Sequence, residues 1–488
     1  MISGLILMGA MAAAQPSAAA PRQTIVIRGA TVIDTAGERD LDGATVIVAD
    51  GRIKAVGRNL RVPRGARVIE AKGKYLIPGL IDGHVHFFQS GGLHTRPDSI
   101  DLRSQVSYAD EIAAIRRRMA DTFMRYTTAG VTGAVDMGGP MSNFDLRDRA
   151  AANPEAPRLW VAGPLLSPYQ PPALVTADPP ILKTDTVEDA RTQAKAQIAR
   201  KPDFLKYWYI IGQDGPAAAR PRLTAMIAEG RTAGVRTAVH ATQLETARAA
   251  VEEGASVLVH SVDDKPVDRA FVEAARAKRI YYIPTLIVIG RYGETFGKRN
   301  PLTAYERETG NREVVAGFDR LADAPLPDYA PAASVQLVGM LPQMQRNLMR
   351  MYLAGVPIVM GTDAGNIGTL HAASVPAEMK AMAAAGMPPR AVLASATIVP
   401  ARMLGVENEI GTVEAGKTAD LVLLGQDPRA DAGAVEDVEL VVRGGRIVGA
   451  DPQFLKLPMA VVPGPVRRAT ARRPLRLASA QLALAPRR

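Results

Sequence analysis

Between residues 76 and 365 short apolar stretches alternate with longer amphipathic ones, and this alternation confines the chain to an α/β architecture. Eight stretches have strand character: 76–87, 131–137, 158–165, 203–210, 235–241, 257–262, 280–288 and 357–365. The tripeptide Ala-Gly-Val recurs at 129–131, 233–235 and 354–356, each time where a helical pattern gives way to an apolar strand. Glycine there supplies the left-handed residue that closes a helix. Thr242 and Glu245 have the spacing of a capping box for a helix running to Gly254. Eight strands alternating with helices favour a closed (β/α)8 TIM barrel over an open doubly wound sheet. The lack of a glycine-rich phosphate loop after any of them points the same way.

The flanks have a different texture. Residues 24–34 and 43–57 alternate apolar with polar, turning at Asp50-Gly51, and residues 421–424 and 438–449 do the same, turning at Gly444-Gly445. Neither flank can bury a face alone. The expected organisation is therefore a small β-sandwich domain of residues 24–75 with 408–451, framing a barrel of residues 76–407. Residues 1–20 hold a short apolar run, 2–14, and a small-residue stretch ending Ala18-Ala19-Ala20. That pattern suits a signal peptide or a disordered leader, the former implying export to a bacterial periplasm and the latter a cytoplasmic protein. A basic segment ahead of the apolar run is missing.

A net charge of +10 on 488 residues suggests nucleic acid until its location is read. Eight basic residues and no acid lie in 452–488, so without that tail the balance falls to +2. Arg, Pro and Ala dominate the tail, a composition that favours disorder over recognition, and no nucleic-acid partner is expected. No apolar run reaches the roughly 18 residues a membrane span needs. The absence of cysteine excludes disulfides, iron–sulfur clusters and thiol nucleophiles.

The chemistry lies at the strand ends. His84 and His86 stand at i and i+2 on the first strand, so both point to one face. His240 and His260 lie near the ends of the fifth and sixth strands, and Asp363 near the end of the eighth. Lys206 sits inside the apolar fourth strand, where burial disfavours its charged form and exposes a nucleophilic amine. In a barrel these six side chains converge on one mouth.

Taken together, these stretches resemble the amidohydrolase superfamily, in its imidazolonepropionase-like and prolidase-like branch. The resemblance rests on Leu76-Ile-Pro-Gly-Leu-Ile-Asp-Gly-His-Val-His86, Val239-His-Ala241, Val259-His260, Gly361-Thr-Asp-Ala364 and Glu414-Ala-Gly-Lys-Thr-Ala-Asp-Leu-Val422. Ser395-Ala-Thr397 and Ala401-Arg-Met-Leu-Gly405 also fit, and the likeness extends over residues 24–450. It implies one divalent metal on His84, His86 and Asp363 and a second on His240 and His260. Lys206, carbamylated by CO2, would bridge the two. The resemblance also implies that Asp363 acts as base and then acid in hydrolysing a small amide, dipeptide or N-acyl amino acid. Mixed imidazole and carboxylate ligands suit Zn²⁺, with Mn²⁺ or Co²⁺ as substitutes. Homo-oligomerisation is expected.

Plainer readings stand beside these. Lys206 could snorkel or pair with an acid, and Asp363 could simply cap a helix. His371 is a candidate pocket residue, as are Phe88 and Gln89, which follow the ligand pair with Phe87. Strand alternation sets Tyr207 and Tyr209 toward the helices, although a strand-end tyrosine can bend inward, so Tyr207 is retained as a candidate. His94 reads as a surface histidine, and Arg96, Arg103 and Arg291 as candidates for a substrate carboxylate. A lactone or cyclic amide would suit the same site. A non-catalytic scaffold would be expected to have shed some of these histidines.

Overall fold

The computed structural model describes residues 23–210 and 215–450, together with the backbone of 476–477. The leader expected at 1–20 lies outside the described residues, as does all of the basic tail but those two positions. No helix among the described residues is long and apolar enough to cross a membrane.

The outer segments pair as expected, but in a different arrangement. Tyr75–Pro78 is the seam: it runs parallel to Ile25–Val32 and antiparallel to Leu421–Leu424. Ladders continue outward on both sides, giving one mixed nine-stranded sheet rather than the two facing sheets of a sandwich. Its hairpins turn at Asp50-Gly51 and Gly444-Gly445, all four residues having positive φ. Ile27, Val46, Leu423 and Leu440 belong to a core cluster of this sheet's own.

The expected first strand is two strands. Tyr75–Pro78 belongs to the outer sheet, and Leu80–Val85 starts the inner one. Gly79 lies between them, where a Cβ would sit 2.0 Å from the Thr132 hydroxyl. Only glycine permits that approach.

The inner strands are parallel throughout and fall into two sheets. Leu80–Val85, Val131–Asp136 and Arg158–Val161 form one. The other runs Ile181–Lys183, Leu165–Ser167, Phe204–Trp208, Arg236–His240, Val257–Val259, Tyr281–Ile283. Between the sheets and at residues 357–365 there are only single bridges, Ala162 with Phe204, Tyr282 with Ile358 and Val85 with Ala364. The fold is mixed α/β, and its ladders stop short of one continuous eight-stranded ring. The segment at 357–365 is not a regular strand and carries only isolated bridges, at Ile358 and Ala364.

Other differences have local causes. The stretch expected as a strand through residue 288 ends at Ile283, and Leu286–Phe296 is a helix. Its first amides are taken by the buried Glu378 carboxylate, 2.8 Å from the Leu286 nitrogen and 2.9 Å from that of Ile287. An N-terminal anchor of that kind outweighs the strand preference of an apolar run. The capping box at Thr242 does not form. Gln243 is the N-cap of Leu244–Glu253, and the Leu244 amide goes to Asp264 at 2.9 Å. The far end of that helix closes on a left-handed Gly254, as expected, and Gly130, Gly234 and Gly355 are left-handed too.

Candidate metal centre

His84 and His86, two residues apart on Leu80–Val85 and just beyond it, turn their rings to the same side. The Nε2 atoms lie 3.1 Å and 3.2 Å from one oxygen of Asp363, which arrives from the bridged segment across the sheet. These three are a buried group that could hold a metal ion. His260 follows Val257–Val259, with its ring 5.2 Å from that of His84 and 4.4 Å from that of His240. Lys206, in the middle of Phe204–Trp208, is buried, and its Nζ has no hydrogen-bond partner among the described residues. Backbone bonds and packing thus bring all six expected residues into one region.

The donor atoms are prepared for cations. His86 Nδ1 lies 2.7 Å from the Gly138 carbonyl, so this nitrogen carries the proton and Nε2 presents its lone pair. His260 Nδ1 is held 2.6 Å from the Thr285 hydroxyl, which fixes the orientation of the ring. Burial, then the charge of Lys206, pushes His84 and His240 down to about 3, so both rings are neutral. Burial pushes the Lys206 amine down to about 7. For Asp363, burial works against the charge, yet His84 and His86 hold the carboxyl well below the usual range. Neutral imidazoles, a carboxylate and an orphaned amine capable of becoming a carbamate form a donor set that fits a pair of divalent cations.

Several supporting residues escaped the sequence reading. Asp82 is fully buried and accepts from the Thr362 amide at 3.0 Å and hydroxyl at 2.7 Å, tying the His84 strand to the Asp363 segment. Burial pushes its carboxyl up to about 7. Its position two residues before His84 is a signal that could have found it, because alternation places both on one face. Asp136 accepts from the Gly138 amide at 3.2 Å and the Asn143 side chain at 2.6 Å, fixing the carbonyl that orients His86. Asp363, His260 and Thr285 all adopt left-handed φ, at 58°, 74° and 43°. Three such non-glycine residues in one site are a concentration of backbone strain of the kind found at functional centres. Nothing in the local sequence announces it.

The outlying candidates fare unevenly. Phe88 comes in, its ring 5.7 Å from that of His86. Gln89 is buried with its Oε1 unpartnered, while its carbonyl meets His371 Nε2 at 2.9 Å. The other His371 nitrogen meets the Tyr126 hydroxyl at 3.0 Å, and its ring stacks on Phe87. Both nitrogens of His371 are thus spoken for, away from the ligand group. Tyr207 keeps to the helix side, its hydroxyl donating to the Ala219 carbonyl at 3.3 Å, and so stays outside the site. Arg96 is committed to Asp98 and Asn366, Arg103 to Asp101, and Arg291 to the buried Glu306. His94 is half-buried rather than a surface residue, with its Nδ1 enclosed.

The parallel α/β framework gathers histidines and an aspartate at its strand ends and a lysine within one strand, a donor set that could hold metal. The chain belongs to the amidohydrolase family, whose model matches residues 75–448. Imidazolonepropionase from Geobacillus kaustophilus is 24% identical over an alignment covering 88% of this chain and 97% of that one. A prolidase candidate from Bifidobacterium longum superimposes with a TM-score of 0.66 at 25% identity, covering 88% of this chain and 95% of that one. Some curated relatives match only locally. The dihydroorotase of Trichlorobacter lovleyi is 42% identical over 76 residues, 16% of this chain and 17% of that protein.

Proposed function

We propose that this chain is a dinuclear metal-dependent hydrolase that cleaves the C–N bond of small amides, dipeptides or N-acyl amino acids among them. The reading takes the inner strands as an eight-stranded barrel, 76–407, framed by a small β-domain of residues 24–75 and 408–451. The observation that carries it is Lys206: a fully buried amine, without a hydrogen-bond partner among the described residues, set among four histidines and an aspartate. The neutral Nζ would attack CO2, forming an N–C bond as one C=O π bond opens onto oxygen and an N–H proton leaves to solvent, and the resulting carbamate would be an anionic ligand for both cations. His84, His86 and Asp363 would hold one cation and His240 and His260 the other, Zn²⁺ suiting the set. Such ions, when bound, bring the ionisation of a water near neutrality and polarise a carbonyl.

The protein's own groups do the remaining work. Asp363, kept as a carboxylate, takes a proton at Oδ from the attacking water and returns it to the departing amine. The Gly138 carbonyl holds His86 in the tautomer that leaves Nε2 free, and the Thr285 hydroxyl orients the His260 ring. Asp82 keeps the two ligand-bearing segments in register. Nothing in this arrangement selects an open over a cyclic amide, and a lactone would be attacked by the same means. The complete donor set argues against a scaffold that has lost its chemistry.

Elemental analysis of zinc-supplemented protein is expected to find two metal ions per chain, falling to one or fewer in Lys206→Ala. One ion or none in the wild type would sink the dinuclear reading. Retention of full activity by Lys206→Ala would sink the role of the lysine.

A further inference from the structure

A cavity of about 770 Å³ lies over the segments that follow the inner strands Leu80–Val85, Val131–Asp136 and Leu165–Ser167. Helix Tyr108–Thr128 forms one wall, the start of Asn143–Ala152 a second, and the turn at Pro172–Leu174 a third. Phe88, Ile112, Met119, Leu146 and Val175 make it apolar. Phe88 is shared, because its ring also packs edge-on to His86. The cavity therefore begins one side chain away from the metal-ligand group.

The charges of the lining show what the space would accept. The charged lining residues are Arg103, Arg116, Arg149 and Asp178. Asp178 is spent on the Met141 and Ser142 amides, at 2.9 Å and 3.1 Å, and Arg103 on Asp101. Arg116 and Arg149 are exposed and have no ion-pair partner among the described residues, so the net field of the lining favours an anion. Val175, an apolar side chain 61% exposed, adds greasy surface to the same wall.

We propose that this cavity is the specificity pocket of the enzyme and takes a bulky aromatic portion of the substrate that bears a carboxylate. The proposal rests on the amide-hydrolase reading for its reaction, and on the cavity alone for its ligand. A glycine-sized group would leave most of the space to water, whereas mostly apolar pockets of this size normally enclose most of a drug-sized ligand. Arg116 with Arg149 would meet the acid of that aromatic portion.

The test is calorimetric binding of 2-naphthylacetate, with neutral 2-naphthylacetamide as its partner probe, to the zinc-supplemented full-length protein. Saturable one-to-one binding is expected, with the acid preferred. Ala173→Trp and, independently, Ile112→Trp should weaken both probes about tenfold or more by filling the space. Arg116→Glu with Arg149→Glu should erase the preference for the acid. Absence of saturable binding, or affinity unaltered in both tryptophan variants, overturns the pocket. An acid preference that survives the double reversal places the carboxylate elsewhere and overturns the role of the arginines. Binding that behaves as expected while no amide is hydrolysed overturns the amidohydrolase reading and supports the pocket. Hydrolysis of small amides without probe binding does the reverse.

Discussion

Lys206→Met isolates the cost of holding the central amine. In metal-free, carbamate-free protein that amine is buried without a hydrogen-bond partner among the described residues, and burial pushes it from its ordinary 10.5 down to about 7. At about 1.4 kcal/mol for each pH unit, the folded state forfeits about 5 kcal/mol near neutrality relative to strongly alkaline solution. The unfolded chain keeps the proton up to 10.5 and the folded chain only up to about 7. Between those limits the unfolded state binds more protons, so stability rises with pH. Below about 7 the full cost is present, and above 10.5 it is gone. Methionine occupies a similar volume without the charge and removes this dependence. Urea unfolding of chelated protein in CO2-free buffer, at about pH 7 and about pH 9.5, reads the difference. The wild type should gain about 3 kcal/mol more than Lys206→Met across that interval, titrations elsewhere cancelling between the two proteins. Equal gains would refute the reasoning, because the amine would then be solvated or paired in the folded state.

Other outcomes follow from the surroundings of the same site. Thr285→Val deletes the hydroxyl 2.6 Å from His260 Nδ1 and should weaken metal binding about 10–100-fold in a chelator competition, with Thr285→Ser restoring it. Gly361→Ala would place a Cβ 2.8 Å from that of His84 and 2.6 Å from an Ile283 methyl, so a loss of about 1–3 kcal/mol on thermal unfolding is expected. Asp363→Asn should fold normally and lower kcat by about 10²–10⁴-fold, and activity within a few-fold of wild type would remove the aspartate from proton transfer.

Much of the site was legible because strand periodicity is local. An i, i+2 pair must share a face, which marked His84 with His86, and apolar neighbours marked Lys206 as interior. The glycines closing helices at 130, 234 and 355 were legible for the same reason, since a left-handed cap is a property of a few consecutive residues. The strand ends were not. Residues 286–288 look like strand until Glu378, some ninety positions later, delivers a carboxylate to the Leu286 and Ile287 amides. Arg96 and Arg103 have acids two residues away, but Arg96 also meets Asn366, 270 positions on, and Arg291 meets the buried Glu306.

Chemical type and face, then, were written in short-range pattern: which residues point inward, which segments are helices or strands, and which donors are candidates for a metal. Long-range packing decided the rest. It drew the two flanks into one sheet through Tyr75–Pro78, and it broke the first strand at Gly79 against Thr132. It also turned His260, Thr285 and Asp363 into left-handed backbone. Hydrogen-bond partners hundreds of residues apart, and strain that only a packed surrounding can sustain, have no signature in local periodicity. They exist once the chain has closed on itself.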